Sequence, residues 1–308
     1  MSRYEKFKES FKGKKLRESL LGYAFVALPL TIFFAFSVGP IIFSVIVSFH
    51  KWGILTWKMD FVGLENYTKI LKDRVFIVAL KNTLLYTVVV VPSQTLIAMG
   101  LALLANQKIK GATFFKTTYF TPAVTSSVVI SLIFFWLYMR KGLINFFLSF
   151  IGITGPNWLN ATSPPNPNFA LLAIMMMNIW STSGYFMVTF LAGLQSIPEM
   201  FYEAARIDGA SRWQRFRYIT LPLLKPVTYF VVVLSVIGTL QIFDQVYVMT
   251  QGGPYYYSTT TVIYHIWNKA FNAFRMGYAC AIAWVLFAII FVATMVQKKL
   301  VKEAGVLY

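Results

Sequence analysis

Residues 22–49 run from Gly22 to Phe49 without a single charged side chain. A helix needs about 20 apolar residues to cross the hydrocarbon of a bilayer, so this run alone restricts the chain to a few folds. Five more runs follow. Residues 76–105 hold only Lys81, 112–139 only Lys116 and 227–249 only Asp244, while 169–194 and 277–297 hold no charge at all. Hydrophobic residues make up 57% of the 308 and charged residues 13%, against about a quarter charged in an average soluble domain. No soluble core can hide that much apolar surface, so the expectation is an all-α, polytopic membrane protein of six helices. The net charge of +17 does not point to nucleic acid, because the basic residues lie between the apolar runs, as loops at a membrane face do. Cys280 is the sole cysteine, and His50 and His265 the only histidines. An internal disulfide and a paired-cysteine metal site are excluded, and a histidine-based metal site or triad has almost nothing to use.

The basic residues also orient the helices. With both termini in the cytoplasm, the inner segments collect 18 of the 28, including those from Arg3 to Arg17, Arg206 to Lys225 and Lys298 to Lys302. The bias follows the positive-inside rule but is moderated by a basic first outer loop, with Lys51, Lys58, Lys69, Lys72 and Arg74. The first run is too long for the core of a signal peptide and reads as a retained helix. The organisation is then a basic cytoplasmic segment 1–21, a six-helix domain 22–297 and a cytoplasmic tail 298–308. The outer loops 50–75 and 250–276 are rich in Trp, Tyr and Gly, and Tyr255, Tyr256 and Tyr257 suit interfacial anchoring. Loop 140–168 pairs a short amphipathic stretch, Leu143 to Ile151, with a proline-rich run from Pro156 to Pro167.

The inner segment 195–226 carries the most local order. Ser196-Ile197-Pro198-Glu199 has the form of a capping box with proline in the first turn. A short helix should follow, stopped at Asp208-Gly209, where glycine supplies the left-handed conformation of a helix end. Ser211-Arg212-Trp213-Gln214 is a second capping box, and Pro222 and Pro226 should end that helix and mark the start of the fifth crossing. Two readings stand on pattern alone. The segment lies along the headgroups with its arginines on anionic lipid, or it is a rigid protrusion held by a partner protein.

Glu203-Ala204-Ala205-x-x-Asp208-Gly209-Ala210, followed by Phe216 and Leu221-Pro222-x-x-x-Pro226, resembles the EAA loop of binding-protein-dependent ABC importer permeases. Gly22-Tyr23-x-Phe25 resembles that family's opening helix, and Phe61-Val62-Gly63-Leu64-x-Asn66-Tyr67 its first outer loop. Phe243-Asp244-x-Val246-Tyr247, running on to Thr250-x-Gly252-Gly253-Pro254, resembles the close of its fifth helix. Four motifs in order point to the carbohydrate-uptake branch, the maltose-type and glycerol-phosphate-type permeases, in their shorter six-helix form. The resemblance implies a type I importer permease in the cell membrane that forms half of a translocation pathway. It implies a second homologous permease, two ATP-hydrolysing subunits, and an extracytoplasmic binding protein that delivers a di- or oligosaccharide. Glu203, Ala204, Ala205, Asp208, Gly209 and Ala210 would couple to the ATPase. The chain has no Gly-x-x-x-x-Gly-Lys-[Ser/Thr] phosphate loop, so ATP and magnesium would sit on the partner and no cofactor on this chain.

Along the fourth run Asn178, Ser181, Thr182, Tyr185 and Thr189 share one helical face. A polar stripe on a membrane helix faces the bundle interior or a wet cavity, serving either helix–helix hydrogen bonds or a polar substrate. The resemblance places Asn178, Ser181, Thr182 and Tyr185 in a sugar site, together with Tyr119 and the position of Thr239. Gln241 and Asp244 fall on a different face of a continuous fifth helix, where Asp244 suits a structural or gating role. Glycerol phosphate or another polyol is the alternative cargo. A membrane-embedded lipid enzyme would need clustered acids or histidines, which are absent from the sequence. A secondary carrier would show inverted repeats, and none is visible.

Overall fold

The computed structural model describes residues 3–53, 58–107, 111–159, 168–253 and 257–303. Helix α1 (Arg3–Phe33) runs from the basic segment into the first apolar run, and a π-helical turn (Phe34–Val38) joins it to α2 (Gly39–Ser48). Almost none of the span Glu18–Ser48 is buried against the rest of the chain. An antiparallel hairpin of β1 (His50–Trp52) and β2 (Met59–Phe61) follows, with Lys51 opposite Asp60. Strands this short leave no alternating pattern in the sequence. Helix α3 (Glu65–Lys72) comes next. Its buried Asn66 ties the hairpin to α2, donating to the carbonyls of Ser48 (2.9 Å) and His50 (3.0 Å).

Asp73 caps α4 (Arg74–Ala105), accepting from the amides of Val75 at 2.9 Å and Phe76 at 3.3 Å. The third run departs from the expected single crossing. It forms α5 (Ala112–Val124) and α6 (Ser127–Leu137), bent by 100° at the break. Pro122 removes an amide donor from the last turn of α5, and Thr125 and Ser126 take extended conformations. Helix α7 (Leu143–Phe150) is the anticipated amphipathic stretch. The prolines at 164, 165 and 167 lie outside the described residues, as do Tyr255 and Tyr256.

Helix α8 (Asn168–Gln195) packs along α4 in the same direction. Tyr86 and Val90 cluster with Leu171, Ile174 and Met177, and Ala98 to Ala105 cluster with Met187, Phe190 and Leu194. Then come α9 (Glu199–Ile207), α10 (Arg212–Arg215), a π-turn (Phe216–Thr220) and α11 (Leu221–Leu223). Helix α12 (Lys225–Leu240) sets off at 61° to the stretch before it. The break falls at Leu224, so Pro222 lies inside the preceding helical stretch instead of ending it.

The fifth crossing is also shorter than the expected 227–249. It stops at Leu240 and restarts as α13 (Asp244–Met249). The carbonyl of Ile242 in the break is taken by the Thr261 hydroxyl at 3.0 Å, which satisfies a buried backbone group outside the helix. The segment expected to be a loop contains α14 (Val262–Trp267) and a π-turn (Asn268–Asn272) before α15 (Met276–Glu303). Among the described residues, four helices are long and apolar enough to cross a membrane, or up to six if each bent pair is one span.

The bundle therefore has a hairpin end, where β1, β2, α3 and α14 meet α15 and the start of α4, and a short-helix end, where α9 and α10 lie.

Candidate functional site: a polar cavity between the spans

A cavity of about 310 Å³ opens where α4, α8, α12 and the start of α13 meet. Its lining is apolar at Phe186, Leu234, Ile242 and Phe243, and polar at Gln94, Asn178, Thr182, Ser235, Thr239, Gln241, Asp244 and Gln245. A second concavity of about 210 Å³ adjoins it through Asn178, Thr182, Phe186 and Gln245, and adds Ser127, Ser181 and Tyr185 from the α6 side. Asn178, Ser181, Thr182 and Tyr185 of the stripe line these hollows, with Thr239 of α12 in the first, while Thr189 lines neither.

Two expected details change. Tyr119 lines neither concavity; its ring lies 4.6 Å from that of Phe115 and its side chain is 38% exposed. Gln241 and Asp244 do line the cavity. A continuous helix would have turned them away from Thr239, but the unwound Gln241–Phe243 stretch re-aims both.

Helix α4 contributes two groups that local periodicity does not reveal. The amide of Gln94 is 2% exposed and its Oε1 accepts from the Thr182 hydroxyl at 2.6 Å. The Tyr86 hydroxyl is buried beside the cavity without a hydrogen-bond partner, and so is the Ser235 hydroxyl. The sequence signal for Gln94 is a lone amide beside Pro92 in a run of aliphatic residues. Unpaired buried hydroxyls cost free energy unless water or a ligand meets them, which marks this wall as a place for a polar guest.

The walls depend on close contact. A Cβ on Gly184 of α8 would lie 1.8 Å from the Tyr119 carbonyl oxygen, so only glycine lets α5 rest directly on α8. Asp244 accepts a hydrogen bond from Ser127, joining the first residues of α13 and α6 across the two breaks.

At the short-helix end, Gly209 adopts φ +74° and closes α9. The amide of Ala210 reaches the Ala205 carbonyl at 2.8 Å and that of Gly209 the Arg206 carbonyl at 3.1 Å, the six-to-one pattern of a glycine-stopped helix. The second capping box is present, with both bonds between Ser211 and Gln214. The first is not. The Ser196 amide still bonds to Ala192 and its hydroxyl to Gly193, so Ser196 belongs to the end of α8, and α9 starts after Pro198 without a side-chain cap. No residue of α9 is buried, Glu203, Ala204, Asp208 and Gly209 are exposed, and Met200, Ile207, Trp213 and Tyr218 are each more than half exposed.

A third concavity, about 750 Å³, lies at the hairpin end. Six cations line it, Lys51, Lys58, Lys69, Lys72, Lys269 and Arg275, with Asp60 and Asp73. Asp73 is its organising group, accepting from the Tyr278 hydroxyl at 2.8 Å and lying 3.2 Å from His265 Nε2. Burial works to raise the Asp73 carboxyl. The Tyr278 hydroxyl, the His265 ring and the amide of Phe76 outweigh it and hold the group below the usual carboxylate range. Burial pushes the His265 imidazole below its usual value despite the attraction of Asp73. Among the described residues no three metal-ligating side chains gather at one point.

Bent apolar spans around a polar cavity, with an exposed pair of short helices at one end, define a multi-pass membrane transport subunit. Residues 94–304 match the family described as the binding-protein-dependent transport system inner membrane component, and the chain belongs to it. It is 35% identical over 291 residues to the multiple sugar-binding transport system permease protein MsmF of Streptococcus mutans, covering 94% of this chain and 98% of that one. It is 34% identical over 286 residues to the trehalose/maltose transport system permease protein MalF of Thermococcus litoralis, covering 92% and 95%. The fold matches a chain of a bacterial ABC transporter for the acidic polysaccharide alginate, with a TM-score of 0.81 at 23% identity over 94% of this chain and 98% of that one. Such chains are transport permeases, not enzymes.

Proposed function

We propose that this chain is one of two membrane subunits of an ATP-driven importer in the cell membrane, and that it passes a sugar delivered by an extracytoplasmic binding protein. The observation that carries this reading is the central cavity, walled by neutral amides and hydroxyls, in a chain whose relatives are named for sugar uptake. Amides and hydroxyls satisfy sugar hydroxyls, and apolar side chains take their C–H faces. Those relatives weigh against glycerol phosphate as the cargo. In this reading the short-helix end faces the cytoplasm. Glu203, Ala204, Ala205, Asp208, Gly209 and Ala210 form the surface that an ATP-hydrolysing partner grips, and ATP and magnesium are bound there by the partner. Met200, Ile207, Trp213 and Tyr218, each more than half exposed on these short helices, are open to such a contact.

The test is uptake of radiolabelled maltose and trehalose by proteoliposomes holding this chain with its second permease, ATPase and binding protein. Accumulation should require ATP and the binding protein. Glu203→Lys and Gly209→Val should each insert normally, lose copurification of the ATPase and abolish uptake, because a β-branched residue is strained at positive φ. Uptake that proceeds equally without ATP would sink the proposal.

A further inference from the structure

We infer that the central cavity admits uncharged or amino-bearing sugars and rejects acidic and phosphorylated ones, and that Asp244 is the selecting residue. This deepens the sugar reading and rests on it.

The cavity and its neighbour are lined by one carboxylate and, among the described residues, by no lysine, arginine or histidine. Asp244 reaches this wall because the break after Leu240 restarts the helix at Asp244 itself. Its Oδ2 accepts from the Ser127 hydroxyl. Among the described residues Asp244 forms no ion pair, and no hydrogen bond occupies its other oxygen. A carboxylate can only accept hydrogen bonds. The donors it needs are hydroxyls or an ammonium, which a neutral or amino sugar supplies. A sugar phosphate or uronate would instead bring a second acceptor-only anion beside Asp244, with no cation in the lining to offset the repulsion between like charges. The amides of Gln94, Asn178, Gln241 and Gln245 donate as well as accept, and so favour neither sign of charge.

The Ser127 bond alone is a brace between α6 and α13, and an asparagine oxygen at residue 244 would keep it. Charge selectivity separates the brace from the filter.

The experiment uses the assembled complex with Cys280→Ala and a reporter Gln245→Cys, whose side chain lines both concavities. Rates of mixed-disulfide formation, with methanesulfinate leaving, are measured with a trimethylammonium and a sulfonate methanethiosulfonate, each divided by its rate with 2-mercaptoethanol. The cationic reagent should be favoured at least about tenfold in this complex, and Asp244→Asn, or Asp244→Ser where the first assembles poorly, should return the ratio to near one. Ser127→Ala keeps the carboxylate and should keep the preference. A ratio near one with Asp244 present, or one that Asp244→Asn leaves high, overturns the proposal. A second arm compares ATP-driven uptake of maltose and of its carboxylate derivative maltobionate. Maltobionate should enter at least about tenfold less well, and Asp244→Asn should narrow the gap. Equal import of both overturns the selectivity. Import of neither strikes the sugar reading, while the thiol-modification ratio still reports on the charge of the cavity.

Discussion

The central cavity and the hairpin-end cleft are both polar hollows in one chain, yet they are built from opposite materials. The cavity holds amides, hydroxyls and a single carboxylate tied to a serine, whereas the cleft collects six cations around two carboxylates. The cleft lies beyond the ends of α2 and α4, on strands, a short helix and a π-turn, where water reaches its lysines. Charges there cost little to keep, and Lys58–Asp60 and Lys69–Glu65 pair only on exposed surface. Between the spans each charge must be desolvated, so neutral groups do most of the work and the one carboxylate stands out. One residue brings separate elements together beside each hollow: Gly184 at the contact of α5 with α8, Asp73 at the cleft.

Gly184→Val should produce the largest effect. The new side chain must displace the Tyr119 backbone, and overpacking of this kind costs about 1–3 kcal/mol or more. We expect a clear loss of thermal stability in detergent and a fall in uptake of at least about tenfold. A variant with unchanged melting and uptake would mean that the adjoining concavity, lined by Pro122 and Ala123 of α5, does not depend on this contact.

A smaller change is expected from the cleft on acidification. His265 has a folded-state pKa below its ordinary 6.5, so between that value and 6.5 the unfolded chain binds more protons and stability declines as pH falls. The lowered Asp73 carboxyl has the same sign, its contribution being lost below about 3.8. The melting temperature should drop by a few degrees between pH 7.5 and pH 5.5, and His265→Gln should flatten that slope. A slope that His265→Gln leaves untouched would place the titrating group elsewhere. The smallest effect belongs to the exposed pairs. Lys58→Gln combined with Lys69→Gln should leave the melting curve unchanged, and a measurable shift would show that the cleft is less hydrated than its exposure suggests.

What the sequence reveals here is what depends on neighbours along the chain. Charge-free runs mark the spans, Gly209 marks the end of α9, and Ser211-Gln214 marks a capping box, because each works within a few residues. The stripe from Asn178 to Tyr185 follows from helical periodicity alone. The bends do not. Residues 112–139 read as unbroken because Pro122 and the hydroxyls of Thr125 and Ser126 interrupt the helix without adding a charge to the run. Gln94 reaches Thr182 across 88 positions, a pairing no local pattern records. For the same reason, helical periodicity puts Asp244 on a different face from Thr239, although both line the cavity. Its direction is set by Thr261 capturing the Ile242 carbonyl, an event in a different part of the chain.

The near-complete exposure of the span Glu18–Ser48 has its own consequence for anyone watching this protein in a membrane. A side chain such as Phe25, 80% exposed, has almost nothing of its own chain to touch. Its surroundings are whatever lies outside this chain, lipid or a neighbouring subunit. A fluorophore or spin label at that position is therefore blind to the folding of the chain that carries it. What it registers is company, and it turns the first helix into a natural gauge of assembly.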